Sequence, residues 1–277
     1  MRVDFAKLHG LGNDVVVVDN RDRKLTLSAE QIRRLSDRHR GVGFDQLLSL
    51  ENAPSDSVDF GLKIFNADGG PAEQCGNGAR CIGLYIHRLE LSRKKEFLLK
   101  SSGRTLLVRI ERDSLISCDM ARPEFEREKI PVVASLERDG RYRLRCAAGE
   151  FPVMAVSMGN PHVVLQVDDI MLAPVASVGA QLVNHKYLPE GANIGFMQVI
   201  RRDHVALRVY ERGVGETLAC GTGACAAVVA GQCMGLLDAS VTVCLPGGEL
   251  TVYWGGGTKS VWVTGPAEWS FEGTIDL

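Results

Sequence analysis

Short β-branched runs that follow Gly-Asn turns recur along the chain. The stretch LGNDVVVVD, residues 11–19, resembles MGNPHVVLQVD, residues 158–168, and each turn leads into a predicted strand. VGFDQLLSL, residues 42–50, likewise matches the strand-like IGFMQVI, residues 194–200. The hydrophobic pattern therefore predicts a strand-rich chain in which one arrangement of elements occurs twice.

Helices are predicted between these paired runs. In SAEQIRRLSDRHRG, Ser28 and Gln31 fit a capping box, and Gly41 is expected to end the helix in a left-handed conformation. The counterpart in the second half, near residues 174–184, has a weaker pattern. Towards the C terminus, ELTVYW, GGGTK and SVWVTG predict a strand, a turn and a strand.

The most informative repeat is a cysteine in a glycine-rich loop. AEQCGNGARC contains Cys75 and TLACGTGACA contains Cys220, both in the setting Cys-Gly-polar-Gly-Ala. Asn13 and Cys75 are 62 residues apart, and Asn160 and Cys220 are 60 apart. Four features in the same order at nearly the same spacing predict two related halves, divided near residues 118–122.

A helix is predicted after each cysteine loop. Residues 79–91 are amphipathic, whereas residues 224–236 are apolar almost all round, which predicts a buried central helix. The predicted fold class is α+β and strand-rich, with one central helix in each half.

Composition narrows the class of protein. The chain has 277 residues, 45% of them apolar, and a formal net charge of −2, which gives no indication of a nucleic-acid partner. The opening MRVDFAKLHG lacks the apolar stretch of a signal peptide, and the longest nearly apolar run, residues 223–237, is short for a membrane span. We expect a soluble, cytoplasmic protein that does not insert into a membrane.

The chain contains eight cysteines. In a chain of this length without a predicted signal peptide, we expect reduced thiols rather than disulfides. No C-x-x-C motif occurs. The pairs Cys75/Cys81 and Cys220/Cys225 are too widely spaced for an ordinary zinc knuckle, so no metal site is predicted. Most of the eight are expected to be small buried hydrophobes.

Glycine-rich loops at helix starts suit anion binding and thiol chemistry. Glycines let consecutive amides point into one pocket, and a helix N terminus adds about half a positive charge there. This field is expected to lower the pKa of Cys75 and Cys220. Cysteines from two symmetric halves are expected to meet opposite faces of one substrate carbon. One thiolate can then remove an α-proton while the opposite thiol returns one, with the amides stabilising the negative charge that develops.

Polar side chains accompany the two loops. Asn66 lies nine residues before Cys75 and Glu211 nine before Cys220, which suggests equivalent positions. Glu211 and Arg212 carry the opposite charges that hold the ammonium and carboxylate of a zwitterion. Further amide side chains occur at predicted turns: Asn13, Gln46, Asn77, Asn160 and Asn193.

Several motifs of the chain match one known family. They are HGLGND, GFDQ, FNADG, EQCGNGARC, MGNPH, YERGVGETLACGTGACA and LPGG. From residue 7 to the C terminus the chain resembles the diaminopimelate epimerases. The resemblance implies two pseudo-symmetric domains, each wrapped around a central helix: residues 1–118 joined by 263–277, and residues 119–262, with the active site in the cleft between them. It also implies a homodimer that interconverts LL- and meso-diaminopimelate, for lysine and peptidoglycan precursor synthesis, without a cofactor or metal.

The same resemblance implies roles for individual residues. Cys75 and Cys220 look like the acid/base pair, and His162 and Glu211 like residues that adjust the thiol pKa values. The implied substrate contacts are Asn13, Gln46, Asn66, Gly76, Asn77, Asn160, Asn193, Glu211, Arg212, Gly221 and Thr222. The chain departs from the family pattern at Val15, Gly70-Pro71 and Phe271, of which only Phe271 bears on the expected dimer contact.

Three alternatives stay open from the residues. A proline racemase or hydroxyproline epimerase uses the same two-cysteine logic, but its smaller substrate needs fewer polar side chains. A thiol redox protein would join the two cysteines in a disulfide. A non-catalytic anion-binding module would keep its ligand after loss of both sulfurs. Exchange of a substrate α-proton distinguishes an epimerase from the last two.

Overall fold

The computed structural model describes residues 2–22, 25–72, 76–101, 104–112, 114–134, 137 and 140–276. The chain divides into two compact units, Met1–Asp119 together with Thr264–Leu277, and Met120–Val263. The predicted boundaries, 118/119 and 262/263, each lie one residue earlier.

The described residues form four α-helices and seventeen strands. The first part of the chain contains β1 (Arg2–Gly10), β2 (Asn13–Asp19), α1 (Ala29–Ser36), β3 (Gln46–Asn52), β4 (Phe60–Asn66), α2 (Gly76–Arg88), β5 (Glu96–Ser101), β6 (Arg104–Arg112) and β7 (Leu115–Asp119). A 3-10 turn (Arg127–Lys129) then precedes β8 (Tyr142–Cys146), β9 (Gly149–Ser157), β10 (Pro161–Gln166), α3 (Val175–Leu182), β11 (Asn193–Arg201), β12 (His204–Glu211), β13 (Gly215–Thr217), α4 (Gly221–Cys233), β14 (Ser240–Leu245), β15 (Gly248–Trp254), β16 (Val261–Pro266) and β17 (Glu268–Asp276).

The two units repeat one order of strand pairing. From β1 to β6, successive neighbours pair antiparallel, parallel, antiparallel, parallel and antiparallel. The series β9, β10, β11, β12, β14 and β15 repeats this order. Helices α1 and α3 connect the first parallel pair of each series, and α2 and α4 precede the last strand pair. The predicted fold class, with two pseudo-symmetric strand-rich halves, is therefore confirmed.

Each unit packs its strands around one helix. In α4, every residue from Gly221 to Gly231 is buried, and the helix contacts β9, β10, β11, β12 and β15. In α2, burial is continuous from Asn77 to Ile86, and the helix contacts β1, β2, β3, β6, β7 and β17. A helix that is apolar all round is stable in such a central position, as its pattern predicts.

Three local predictions need correction. The capping box of Ser28 and Gln31 is present, but α1 ends at Ser36 rather than near Gly41. Asp37 stops it, because its side chain accepts hydrogen bonds from the backbone of His39 and Arg40. Helices α2 and α4 begin three residues before their predicted starts, since the loop glycines form their first turns. Strand β3 begins at Gln46, so residues 42–45 are irregular structure before it.

Burial of the cysteines follows the expectation only in part. Buried positions are occupied by Cys81, Cys118, Cys220 and Cys225, whereas Cys146 and Cys244 are half-buried and Cys233 is exposed at the end of α4. All seven have free thiols.

In the described part of the chain, every helix is too short or too polar to span a membrane.

Candidate active site

The starts of helices α2 and α4 carry predicted site residues, one helix in each unit. In the first unit, α2 starts at Gly76, and the predicted catalytic Cys75 lies outside the described residues. In the second unit, Cys220 is the N-cap of α4, and Gly221 and Thr222 open its first turn. Amides in the first turn of a helix have no intrahelical acceptor, so both turns offer N–H donors to an anion.

Gln46 joins neighbouring strand ends in the first unit. Val15 of β2 pairs with Gln46 of β3, which pairs with Asn66 of β4. Nε2 of Gln46 donates to Oδ1 of Asn66 over 3.1 Å, and Oε1 of Gln46 is buried without a partner among the described residues. A buried oxygen in this condition is costly, which makes it a candidate acceptor for an N–H of a bound molecule.

An alternating series of donors and acceptors fixes the asparagines of the first unit. Nη2 of the wholly buried Arg80 donates to Oδ1 of Asn77 over 2.9 Å. Nδ2 of Asn77 donates to Oδ1 of Asn13 over 3.2 Å, and Nδ2 of Asn13 donates to Oδ2 of Asp45 over 2.9 Å. A guanidinium only donates, and Oδ2 of Asp45 also accepts from the backbone N of Asp14 over 3.1 Å. The orientation of both amides is therefore determined from the two ends.

A charged cluster holds the acceptor end of this series. Nη2 of Arg38 bridges Oδ1 of Asp14 at 2.8 Å and Oδ1 of Asp45 at 2.7 Å. The buried Lys7 places Nζ 2.5 Å from Oδ2 of Asp14. Burial alone would raise the pKa of Asp14, but hydrogen bonds from Arg38 and Lys7 outweigh it and hold that pKa well below its usual range. Asp14 is therefore ionised at physiological pH.

In the second unit, strand register places equivalent residues at the strand ends. His162 of β10 pairs with Asn193 of β11. Ile194 pairs with Tyr210 of β12, so Glu211 follows at the end of that strand beside Asn193. The polar pairs at the ends of β3 and β4 and of β11 and β12 thus occupy corresponding places in the two units.

Cys220 is buried at the start of α4 and accepts hydrogen bonds there. The backbone N of Gly223 lies 3.3 Å from its Sγ, and Oγ1 of Thr222 lies 3.5 Å away. Burial and the negative charge of Glu211 raise the pKa of Cys220 well above its usual value, and these two hydrogen bonds do not offset them. The expected lowering of this pKa is wrong for Cys220, because desolvation of a buried thiolate outweighs the field of the helix.

His162 acts in this unit as a neutral hydrogen-bond donor. It is buried, and its Nε2 lies 3.0 Å from Oδ1 of Asn160, which can only accept. Nδ2 of Asn160 in turn approaches Oγ1 of Thr222 at 3.5 Å. Burial and the charge of Arg212 lower the pKa of His162 to about 3. Its link to the cysteine loop is therefore a series of hydrogen bonds and not a positive charge.

Glu211 and Arg212 point to different partners. Oγ1 of Thr217 donates a short hydrogen bond to Oε1 of Glu211 across the β12–β13 hairpin. The backbone N of Arg212 donates to Oδ1 of Asn193 over 2.9 Å, and its Nη1 donates to the carbonyl oxygen of Glu190 over 2.5 Å. The charge of Glu211 is one cause of the raised pKa of Cys220, while Arg212 ties β12 to the segment before β11.

Sequence reasoning did not single out the residues that hold these side chains. They are Lys7, Asp14, Arg38, Asp45, Arg80 and Thr217. The signal for Asp14 and Asp45 was their position directly beside Asn13 and Gln46 in the motifs GND and FDQ. Arg80 follows the glycines of the first cysteine loop. A charged residue in a central, buried helix is unusual, and this position was the signal for Arg80.

Comparison with known proteins identifies the family of the chain. The sequence pattern of the family described as diaminopimelate epimerase matches residues 5–126 and 154–270. The chain is 49% identical to a diaminopimelate epimerase of Nitrosomonas europaea over 277 residues, which is 100% of both chains.

Two solved structures share the fold at low identity. A phenazine biosynthesis protein of the PhzF family from Bacillus anthracis matches with a TM-score of 0.73 at 16% identity, over 100% of both chains. A hydroxyproline epimerase from Agrobacterium vitis, with bound trans-4-hydroxy-L-proline, matches with a TM-score of 0.69 at 14% identity, over 99% of this chain and 92% of that one. The family match covers most of the chain, and with the full-length identity it shows that the chain belongs to the diaminopimelate epimerase family.

Proposed function

We propose that the protein is an isomerase that interconverts LL-2,6-diaminopimelate and meso-2,6-diaminopimelate without a cofactor, in lysine and peptidoglycan precursor synthesis. The observation that carries the proposal is the 49% identity, over the whole of both chains, to the diaminopimelate epimerase of Nitrosomonas europaea. The anion-binding turn at Cys220 and the ordered amide side chains of the first unit support it.

In the proposed mechanism, Cys75 and Cys220 exchange protons with the substrate α-carbon. One thiolate takes the α-proton, and the electron pair of the broken C–H bond is delocalised towards the α-carboxylate. The opposite thiol then gives its proton to the other face, so one thiolate and one thiol remain. The raised pKa of Cys220 supports its starting as the thiol and hence as the donor.

The α-carbon of an amino acid is a very weak acid, so the enzyme must stabilise the charge that forms on the carboxylate. The first-turn amides of Gly221 and Thr222 are suitable donors, because a helix N terminus is oriented before the reaction starts. Gly76 and Asn77 are proposed to serve in the same way at α2. Asn13, Gln46, Asn66, Asn160, Asn193, Glu211 and Arg212 are proposed substrate contacts.

The test is proton NMR of LL-diaminopimelate with reduced enzyme in deuterium oxide and no added cofactor. We expect loss of the α-proton signal together with appearance of the meso isomer. Absence of exchange under reducing conditions would exclude the diaminopimelate assignment. The same assay with proline and hydroxyproline would then test the smaller substrates.

Single serine variants test the two-base assignment. We expect Cys75→Ser and Cys220→Ser each to lose epimerisation by at least a thousandfold, because a serine hydroxyl is far too weak an acid/base at neutral pH. A redox protein would exchange no α-proton at all. A binding module would keep its affinity for diaminopimelate in the double variant and show no turnover in the parent chain.

We also propose that the enzyme is a cytoplasmic homodimer, as the family resemblance implies. Strand β17 is a candidate contact, because Phe271 is 50% exposed there while its ring packs edge-on against Phe5 at 6.1 Å. Light scattering after size exclusion of the parent chain and of Phe271→Asp tests this. A parent chain that elutes as a monomer would exclude the dimer.

A further inference from the structure

Three side chains of metal-binding types meet on adjacent strands of the second unit. His204 opens β12, Cys244 lies on β14 and Glu249 on β15. Strands β12 and β14 pair in parallel with Ala206 opposite Cys244, and Cys244 lies directly opposite Glu249 in the antiparallel β14–β15 pair. The three potential ligand atoms all lie within 4.8 Å of one another.

The cluster is separate from the proposed catalytic residues of the same unit. His204 and Glu211 are the first and last residues of β12. At about 3.3 Å per residue, the length of the strand places them roughly 23 Å apart. Binding at the cluster therefore occurs far from the thiol of Cys220.

We propose that His204, Cys244 and Glu249 bind a divalent transition metal ion of the zinc type. The proposal does not rest on the epimerase function, and nothing in the reaction requires it.

The distances suit a four-coordinate ion. Sγ of Cys244 lies 3.2 Å from Nε2 of His204 and 3.3 Å from Oε1 of Glu249. A tetrahedral zinc ion bonded to sulfur, nitrogen and oxygen at its usual lengths separates sulfur from each of the other two by about 3.5 Å. The nitrogen of His204 and the carboxylate of Glu249 lie within 4.8 Å of each other. Small adjustments of the three side chains therefore admit the ion, and neighbouring strands hold them close together. Water completes the fourth position.

The ligand types select the kind of ion. Thiolate and imidazole favour zinc, cobalt or nickel, whereas magnesium and calcium prefer sets made only of oxygen ligands. Without a metal, the thiol donates to Glu249 and the imidazole Nε2–H donates to the sulfur, so the cluster is satisfied by hydrogen bonds. Burial and Glu249 raise the pKa of Cys244. On binding, the thiol proton is released to solvent, and the imidazole proton moves from Nε2 to Nδ1.

Cobalt(II) is a suitable probe, because a thiolate ligand gives a charge-transfer band and four-coordinate geometry gives intense visible bands. The full chain carrying Cys75→Ser and Cys220→Ser is titrated with cobalt under reducing conditions, so that the proposed catalytic thiols do not contribute. We expect both signals to saturate at one ion per chain and to disappear when one equivalent of zinc is added.

Matched variants in the same background locate the site. Cys244→Ser should abolish the thiolate band, and His204→Gln should weaken binding at least tenfold. Cys233→Ser removes the exposed cysteine at the end of α4 and should change nothing. Glu249→Gln keeps the thiol and should also weaken binding, which guards against misfolding of the cysteine variant. A band that persists in Cys244→Ser, or no thiolate band in the parent, would overturn the proposal and leave a hydrogen-bonded cluster only.

Discussion

Nη2 of Arg80 donates to Oδ1 of Asn77 over 2.9 Å, from a guanidinium that is wholly buried. The same group reaches the carbonyl oxygens of Pro266 at 3.3 Å and Gly76 at 3.4 Å. All three acceptors are neutral, and the positive end of α2 is close by. A buried cation in these surroundings is unfavourable for folding unless its N–H groups are satisfied. What it provides is a fixed orientation for the Asn77 amide.

We expect Arg80→Met to lower both stability and substrate affinity. Removing the guanidinium leaves one buried and two part-buried oxygens without this donor, which should reduce the free energy of unfolding by about 3 kcal/mol. The Asn77 amide also becomes free to turn, so KM should rise about tenfold, as a shift of about 1.4 kcal/mol implies. Urea unfolding and steady-state kinetics measure the two effects.

The matched control is Arg34→Met, on the exposed side of α1, which should stay within about 0.5 kcal/mol of the parent. Arg80→Lys, which restores a donor and a charge, should recover part of the affinity. A folded Arg80→Met variant with unchanged KM would contradict the positioning role.

Glu211→Gln should make the thiol of Cys220 more acidic. Burial and then the Glu211 charge raise the pKa of this thiol. The amide removes the charge but not the burial, so the pKa should fall and still stay above the ordinary value. The measurement is the pH dependence of iodoacetamide labelling at Cys220, resolved by mass spectrometry of peptides.

A suitable comparison is Glu216→Gln in the same hairpin, where the carboxylate pairs with Arg208 at 2.6 Å. We expect that variant to leave Cys220 labelling unchanged. An identical labelling profile for Glu211→Gln and the parent would show that the Glu211 charge does not reach the sulfur.

His162 should make the protein less stable in mild acid. The pKa of His162 is lowered to about 3 by burial and by the charge of Arg212, whereas in an unfolded chain the same group titrates near 6.5. Between these values the unfolded chain binds a proton that the folded chain does not. The free energy of unfolding should therefore fall by about 1.4 kcal/mol for each pH unit below about 6.5.

Urea unfolding of the parent and of His162→Gln at pH 7 and pH 5 measures this contribution. Glutamine keeps an N–H donor for Asn160 but has no titrating group, so its stability should depend less on pH. The exposed His39→Gln should behave like the parent. Equal pH dependence of the parent and His162→Gln would rule out a buried neutral imidazole.

The order of elements is predictable because turn residues and hydrophobic period are local properties of the chain. The predictions of the Ser28–Gln31 capping box and of a buried, apolar α4 are both confirmed. The end of α1 was predicted wrongly. The side chain of Asp37 accepts a hydrogen bond from the backbone N of His39 and stops the helix, and the hydrophobic pattern does not indicate this.

The candidate site is predictable only in its repeated part. Asn66 and Glu211 share an offset from the cysteines, and each lies at the end of a corresponding strand. The sign of the Cys220 pKa shift could not be predicted, because it depends on burial, which appears only after the helix is packed. The role of Arg80 depends on a contact with Pro266, 186 positions away along the chain.

Gly223→Ala should reduce activity while changing stability little. Gly223 lies in the first turn of α4, where alanine is favoured over glycine by roughly 1 kcal/mol. An added Cβ would lie 3.1 Å from Sγ of Cys220 and 3.0 Å from Cγ2 of Val209, so both neighbours must give way by a few tenths of an ångström. The gain in helix propensity and the cost of the close contacts nearly cancel in the free energy of unfolding. The displaced sulfur should lower kcat at least tenfold, because proton transfer tolerates a misplaced acid or base poorly.

The comparison is Gly195→Ala on β11, where the nearest atom to an added Cβ is Cδ1 of Leu207 at an ordinary 3.5 Å. That variant should keep kcat within about twofold, since its Cβ displaces nothing near the sulfur. Steady-state kinetics and urea unfolding of both variants separate the two explanations. If Gly223→Ala keeps full kcat, the position of the Cys220 sulfur seen here is not the one that matters for proton transfer. If it loses stability by several kcal/mol, the α4 turn cannot relax and the lost activity reflects folding.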